Sequence, residues 1–447
     1  MTAVVWEFPA AFLPEELDLA REMQLSPLTA RLLYNRGIKT VADARVFLRP
    51  SPADLVAPEI IPGLAEARGR LVQAVKAREK ILVYGDYDVD GLTATAIMLE
   101  TLARLGVETE YYLPDRLSEG YGLNTNGLSL ALEKGCSLVL TVDCGITALA
   151  EVAWARQQGL ELIITDHHQP GADLPAATAV VNPLLGASPL PLCGAGVAFK
   201  LAQALARYFS LPLEEGVEAG WALDLAALGT IADSVPLLGE NRLLVKLGLK
   251  ALARRTRPGI KALAEIAGLP DGEWSSREVA FSLVPRLNAC GRTGRADPGL
   301  ELLLTTSAQQ ALELAQYLEH ENQARRLLEK HIEAEAGVMA AAAVEQGLKG
   351  LALASPDWHP GVIGIVAARL AERFNCPVVL FTLAGDKGRG SGRSVPEVDL
   401  HETLTYCRDY LLTFGGHPQA AGLEIETRHL AAFQAAFNEA VQAVRTA

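Results

Sequence analysis

Three short apolar runs, Lys80–Tyr84, Ser137–Val142 and Leu160–Ile164, each lead directly into acidic side chains. The first runs into Gly85-Asp86-Tyr87-Asp88-Val89-Asp90-Gly91, the second into Asp143-Cys144-Gly145, and the third into Thr165-Asp166-His167-His168. Helical stretches separate them, from about Leu92 to Leu105, at Leu128–Glu133 and at Ala148–Gln158, with further short strands at Val107–Leu113 and Ala179–Val181. Strands alternating with helices predict an α/β fold with a parallel sheet and helices on both faces. Ligands of such sheets bind outside the carboxyl ends of the strands, which is where these polar residues fall. A fourth carboxylate, Asp233, follows the helical run Ala222–Ile231.

The pattern divides the rest of the chain. Residues 1–75 read as a helical lead-in, 76–305 as the first α/β domain with a helical insertion, 306–346 as a connecting helix, and 347–447 as a smaller second α/β domain. The connecting stretch is rich in Ala, Leu and Glu and lacks a sustained heptad seam, so it is no coiled coil. The second domain shows a strand at Leu351–Ala354, a helix at Val362–Phe374, a strand at Pro377–Leu383 and a Gly-rich turn at Gly388–Gly392. A length of 447 residues suits two or three domains of about 150 residues each.

The formal charge of −13 argues against a protein that coats nucleic acid through bulk charge, though it leaves room for a local basic groove. No apolar run reaches the ~20 residues that span a bilayer, and MTAVVWEFPA lacks a charged segment with an apolar one behind it. A cytoplasmic protein with no membrane partner is expected. The six cysteines have no CxxC spacing, which sets aside a zinc ribbon or a disulfide framework.

Carboxylates at Asp86, Asp88 and Asp90, in one tight turn, repel unless a cation sits between them. Oxygen donors with one or two imidazoles suit Mn²⁺ or Mg²⁺ better than zinc. So many carboxylates predict two ions about 3.5–4 Å apart, which would stabilise both the attacking and leaving oxygens of an in-line phosphoryl displacement. Each part alone has a plainer explanation: Asp143 as a helix cap, the histidines as a polar loop, DxDxDG as a calcium loop. The calcium loop wants a Glu at its twelfth position, where this chain has Ile97, and flanking helices where it has a strand. The recurrence of the other groups at equivalent strand ends favours a metal-dependent phosphodiesterase.

The DYDVDG, VDCG, TDHH and ADSVPL segments resemble the successive motifs of the DHH phosphoesterase superfamily. Tyr112-Leu-Pro-Asp-Arg116, Glu119-Gly-Tyr-Gly122, Asn182-Pro183, Gly194–Phe199, Pro285–Arg292, Gly390–Ser394 and Phe414–Pro418 extend the resemblance to its RecJ family of single-stranded-DNA exonucleases, over roughly residues 20–425. The resemblance implies a parallel-sheet DHH domain joined by a long connecting helix to a smaller α/β DHH-associated domain. It implies Asp88, Asp90, Asp143, His167 and Asp233 as ligands of two Mn²⁺ or Mg²⁺ ions, with Asp143 as the bridge. Asp86 becomes an auxiliary carboxylate, Asp166 the residue that orients a histidine, and His168 a phosphate contact or proton donor. The implied nucleophile is a water activated by the ions.

Arg116, Arg292 and Arg393, with Ser391, correspond to a pocket for the 5′-terminal phosphate, where Gly390 and Gly392 would let the backbone approach closely. Asn288 and His417 are further implied substrate contacts, and Tyr121 a stacking or wedge residue beside a cleft that admits only single strands. The implied activity is 5′-to-3′ degradation of 5′-phosphorylated single-stranded DNA to mononucleotides in repair and recombination, with a single-strand-binding protein and a helicase as partners. The alternatives are a nanoRNase of the same superfamily and a non-catalytic replication scaffold resembling Cdc45. The family's C-terminal OB-fold has no counterpart up to Ala447, and Tyr84 stands where some relatives carry His.

Overall fold

The computed structural model describes residues 11–186, 191–211 and 222–446, so the first ten residues of the expected lead-in lie outside the described residues. By internal contacts the chain forms two units. The first holds Met1–Pro114, Tyr121–Pro285 and Ala296–Ala315; the second holds Asp115–Gly120, Arg286–Arg295 and Gln316–Ala447.

The first unit opens with helices α1 (Pro14–Met23), α2 (Pro27–Tyr34) and α3 (Val41–Leu48), which bury Leu19, Ala30, Leu33 and Ala44 among themselves. Ser26 and Thr40 start the second and third by accepting hydrogen bonds from the backbone N–H groups of Thr29 and Asp43. Helix α4 (Leu64–Ala77) then leads into a five-stranded sheet: β1 (Ile81–Tyr84), β2 (Thr109–Tyr112), β3 (Leu138–Val142), β4 (Glu161–Thr165) and β5 (Ala179–Val181). The order is β2-β1-β3-β4-β5 and every pair is parallel. Alternate residues Leu82, Tyr84, Val139, Leu162 and Ile164 face α6 (Thr125–Glu133) and α7 (Leu149–Gln157). Against the opposite face pack α5 (Val89–Arg104) and α8 (Gly194–Tyr208), with α9 (Leu223–Ala232) on top of them. Helices on both faces explain why β1 and β3 are buried along their whole length. From β1 the chain crosses to β2 on one side and then returns to β3 on the other, so the strand order reverses between β1 and β3. Crevices at such reversal points are where doubly wound sheets bind ligands. Further helices follow: α10 (Gly239–Ala253), α11 (Pro258–Ile266), α12 (Ser276–Ser282), α13 (Val284–Thr293), which groups with the second unit from Arg286 onwards, and α14 (Asp297–Leu304).

Helix α15 (Ala308–Glu345) begins in the first unit and continues in the second, as a connecting helix should. The second unit is a smaller α/β domain with β6 (Leu351–Ser355), α16 (Ile363–Phe374), β7 (Val378–Ala384), β8 (Lys387–Arg393), α17 (Leu400–Tyr406), β9 (Leu411–His417), β10 (Ala420–Glu426) and α18 (Leu430–Thr446). Its sheet runs β6-β7-β8-β10-β9, with β6 and β7 parallel and the rest antiparallel.

One expectation is overturned here. Gly388–Gly392 is no turn; it lies within β8, paired on both sides with β7 and β10. The glycines fall at every second residue, so all three point to one face of the sheet. A Cβ on Gly390 would stand 2.6 Å from the Phe381 ring and 2.9 Å from Leu423, and one on Gly392 would meet Leu400 at 2.9 Å. They let the strand close on an apolar core of Phe381, Phe433 and Phe437. The idea that Gly390 and Gly392 admit a phosphate to the backbone is therefore also corrected, since their open side is already filled. Gly390→Ala should destabilise this unit by about 1–3 kcal/mol, read as a lower thermal midpoint with cation binding unaltered.

Candidate functional site

Strand register accounts for the acidic cluster. Tyr84 pairs with Thr141 and Val142 with Thr165, so two residues past β1, one past β3 and one past β4 stand level. Those residues are Asp86, Asp143 and Asp166, set side by side at strand spacings of about 4.8 Å. All three are buried.

Asp88 and Asp90 arrive on the start of α5. Asp88 is its N-cap, with Oδ1 accepting from Asp90 N at 2.9 Å and Gly91 N at 3.1 Å. Asp90 sits against the start of another helix: Oδ2 accepts from Gly194 N at 2.6 Å and Oδ1 from Ala195 N at 2.8 Å. The positive end of the α8 dipole thus steadies a buried carboxylate. Glycine is required in this wall. A Cβ on Gly194 would meet the Asp143 side chain at 2.5 Å, and one on Gly229 would reach Asp90 Oδ1 at 2.7 Å.

Asp143 is no helix cap; Ala148 holds the N-cap position of α7. Its backbone adopts a left-handed conformation with φ of 64°, which Asp tolerates better than most residues. Its Oδ1 lies 3.0 Å from His167 Nε2, which is also 3.6 Å from Asp90 Oδ2. Both Asp143 Oδ1 and His167 Nε2 are buried without a properly aligned hydrogen bond. Asp233, at the C-cap of α9, brings Oδ2 to 3.8 Å from His167 Nδ1. Burial raises the Asp143 carboxyl well above the usual range, and the neighbouring Asp90, Asp88 and Asp86 raise it further. Burial, Asp90 and Asp88 push Asp233 up to about 8, while burial lowers His167. The carboxyls disfavour their charged form and His167 its protonated one; a cation would favour the carboxylates' charge and take the neutral imidazole as it is.

Three overlapping donor groups result, each with ligand atoms within 4.8 Å of one another: Asp86, Asp88 and Asp143; Asp90, His167 and Asp233; Asp143, His167 and His168. Asp143 and His167 each belong to two of them. Asp86 falls in one of these groups, with Asp88 and Asp143.

Asp166 does something different. Its Oδ1 accepts from the His167 and His168 N–H groups at 2.7 and 3.1 Å and lies 2.7 Å from His168 Nδ1; its Oδ2 accepts from Ile146 N at 2.9 Å. Burial opposes its ionisation, but these bonds, led by that from His168, hold it below the usual carboxylate range. Burial likewise works against a charged His168, and the bond to Asp166 overcomes it and pushes the imidazole up to about 9. Two further residues secure the histidine. Tyr121 Oη lies 2.8 Å from His168 Nδ1 and donates to the Asp143 carbonyl at 3.2 Å, and Asn182 Nδ2 donates to the His168 carbonyl at 2.9 Å. The hold of Tyr121 and Asn182 on this loop was not legible in the sequence, since it depends on which loops meet. Tyr84 lies in the core with its ring on Tyr112, and its hydroxyl donates to the Gly122 carbonyl at 3.0 Å.

The second unit gathers the arginines. Strand alternation that buries the glycines of β8 sends Arg389, Ser391 and Arg393 to the other face. Arg393 Nη1 donates to Ser391 Oγ at 3.1 Å and to the Gly392 carbonyl at 2.7 Å, and no carboxylate pairs with it among the described residues. Burial lowers its pKa, and the like charge of Arg116 adds to this. Gly364, in the first turn of α16, keeps that helix close; a Cβ there would lie 2.8 Å from Ser391 Oγ and 3.1 Å from Arg393 Nη2. Arg292 donates to the Gly361 carbonyl at 3.4 Å, and Asn288 lies one turn before it on α13. Pairing of Arg393 with Ala420, and of Ala420 with His417, puts His417 two strands away on the same face of the sheet. Chemically, like-charged guanidiniums beside a helix N-terminus suit an anion with several oxygens.

Comparison with known proteins identifies the family. Residues 80–230 match the DHH family, N-terminal domain, and residues 340–443 match the DHHA1 domain. The single-stranded-DNA-specific exonuclease RecJ of Bacillus subtilis is 42% identical over 97% of this chain and 55% of its own length. That of Salmonella typhimurium is 38% identical over 95% of this chain and 77% of its own length. The crystal structure of RecJ in complex with Mn²⁺ from Thermus thermophilus superposes with a TM-score of 0.83 at 36% identity, covering 96% of this chain and 61% of that one. The chain therefore spans little more than half of the Bacillus relative. With two ordered domain matches and this identity across nearly its whole length, the chain belongs to the RecJ family of the DHH phosphoesterase superfamily.

Proposed function

We propose that the protein is a 5′-to-3′ exonuclease that hydrolyses single-stranded DNA bearing a 5′-phosphate and releases mononucleotides. The observation that carries this reading is the convergence of five carboxylates and His167 at the reversal point of the sheet, with Asp143 Oδ1 and His167 Nε2 buried 3.0 Å apart and no proton shared in good geometry. Oxygen donors with one imidazole fit Mn²⁺ or Mg²⁺. Asp86, Asp88, Asp90, Asp143, His167 and Asp233 would hold two such ions, with Asp143 between them. When bound, the ions supply charge stabilisation to a phosphoryl displacement and lower the pKa of the attacking water.

The chain's own residues do the rest. Asp90, fixed by the α8 N-terminus, and Asp88, fixed as a helix cap, are preorganised and need no rearrangement to act. His168 keeps Nδ1 on Asp166 and presents Nε2. As an imidazolium near neutral pH, it would donate to a phosphate oxygen and hold the scissile group in line. In the second unit Arg393, Ser391, Arg116 and Arg292 would grip the terminal phosphate, and Asn288 and His417 would meet the adjoining strand. The family resemblance further supports a cytoplasmic protein working with a single-strand-binding protein and a helicase; no helix among the described residues is long and apolar enough to cross a membrane.

The test is digestion of strands labelled at either end, with a 5′-phosphate or a 5′-hydroxyl, in Mn²⁺. Mononucleotides should appear first from the 5′ end of the phosphorylated strand, duplex ends should resist, and chelation should stop the reaction. Release from the 3′ end would reject the polarity. Arg393→Ala should reduce the preference for a 5′-phosphate by about 10- to 100-fold, as expected for one charge-assisted phosphate contact of about 1.5–3 kcal/mol.

A further inference from the structure

Asp143 does not point where its place in the chain would send it. It directly follows β3, and strand alternation puts residue 143 on the same face of the sheet as Val139 and Thr141, the face covered by α6 and α7. Its side chain stands instead against Gly194, at the start of α8 on the opposite face. The left-handed backbone at Asp143, with φ of 64°, makes that swing. A residue other than glycine keeps such a conformation only where its surroundings hold it.

Thr141 supplies that hold. It is fully buried in β3, and its Oγ1 donates to the Cys144 carbonyl at 2.8 Å. No backbone N–H among the described residues donates to that carbonyl. Cys144 is itself buried, so without the hydroxyl the carbonyl would be left unpaired away from water. The same oxygen of Thr141 accepts from Thr165 N at 3.3 Å, and Thr165 Oγ1 donates back to the Thr141 carbonyl at 2.8 Å. The tether is thus anchored in two neighbouring strands. A β-branched side chain is stiff at χ1, so little ordering is needed to make the bond. Gly145 leaves room for it, since a Cβ there would stand 3.2 Å from Thr141 Oγ1. With φ of 108°, Gly145 also separates the tether from the bond between Ile146 N and Asp166.

We infer that Thr141 is a positioning residue for Asp143: by tethering the Cys144 carbonyl, its hydroxyl holds the left-handed turn that presents the Asp143 carboxylate to a bound cation. The inference rests on the reading of Asp143 as a metal ligand, and every group it uses lies in the first unit. With a methyl in place of the hydroxyl, the turn relaxes towards the extended conformation and the carboxylate leaves the donor set.

The experiment is calorimetric titration of Mn²⁺ into the metal-free full chain, for the parent, Thr141→Val, Thr141→Ser, Thr101→Val and Asp143→Asn, each first melted to show that it is folded. Thr141→Val keeps the shape and loses the hydroxyl; it should weaken Mn²⁺ binding about 10- to 100-fold, the range for losing a hydrogen bond that orients a metal-binding group. The Mn²⁺ concentration that gives half-maximal nuclease activity should rise by the same factor. Thr141→Ser keeps the donor and should bind Mn²⁺ as the parent does. Thr101→Val removes an equally buried hydroxyl, which donates to the Ile97 carbonyl at 2.6 Å near the end of α5; it should lower the melting temperature and leave Mn²⁺ affinity unaltered. The inference is overturned if Thr141→Val binds Mn²⁺ like the parent, if Thr141→Ser loses as much affinity as Thr141→Val, or if Thr101→Val weakens binding comparably. The serine arm decides the matter even if Thr141→Val does not fold. Asp143→Asn separates the two levels. If it binds Mn²⁺ like the parent, Asp143 is no ligand and the inference falls with that reading; if it weakens binding while Thr141→Val does not, only the role of Thr141 fails.

Discussion

Asp143→Asn should abolish nuclease activity, by on the order of 10³-fold or more in kcat, and at the same time raise the melting temperature of the metal-free protein. The side chain is buried against Asp86, Asp88 and Asp90, and burial with those charges already raises its pKa well above 3.8. The amide has the same shape without the charge, so folding no longer works against that repulsion. Each kcal/mol relieved is worth about 2–4 °C in a domain of this size. The same groups determine the pH dependence. A carboxyl whose folded-state pKa is raised contributes stability that is complete below its unfolded value and lost as pH rises through the folded one. With Asp143 raised from 3.8 and Asp233 pushed up to about 8, the metal-free protein should lose stability from about pH 4 towards pH 8. Mn²⁺ should restore it, most at the alkaline end, and Asp143→Asn should flatten the slope and blunt the Mn²⁺ response. A calorimetric melt across that range, with and without Mn²⁺, measures all three. A parent protein whose metal-free stability rises steadily from pH 5 to 8 would contradict the electrostatic account of the cluster.

His168→Ala should lower kcat by about 10²- to 10⁴-fold, the range for loss of a positioned proton-donating group, while Mn²⁺ affinity stays unchanged. The distinction matters because His168 also stands in one of the three donor groups, with Asp143 and His167. Nδ1 lies 2.7 Å from Asp166 Oδ1, so Nε2 is the nitrogen left to meet a phosphate oxygen or an ion, and the Mn²⁺ affinity of the variant separates the two roles. Asp166→Asn should reproduce most of the kinetic loss through His168, again without loss of Mn²⁺ affinity. A fall in Mn²⁺ affinity in His168→Ala would instead make it a ligand.

The strands that position the acidic cluster were legible in the sequence because β1, β3 and β4 are almost wholly buried and read as short, mostly apolar runs. Each also ends on a polar residue whose only plausible home is the carboxyl edge of a sheet. The second domain was harder. β8 carries its apolar face as glycine, so its strand period was hidden and the segment read as a turn; β9 and β10 pass beneath notice for a related reason, with glycine at 415, 416 and 422. Glycine in a strand shows its meaning only when the residue across the sheet is known, and here that residue is Phe381.

Residue type and order by themselves determined the α/β class, the long connecting helix and the identity of the acidic cluster, because local periodicity and charge repulsion act over a few residues. Only the tertiary structure decided how those groups are used. It set Asp86, Asp143 and Asp166 level through strand register, gave Asp90 to the α8 N-terminus more than 100 residues away, and separated Asp166 from the other acids by turning it onto His168. It also joined Arg116 to Arg389 across 273 residues. Such pairings depend on which loops a folded sheet brings together, and no short-range pattern encodes that.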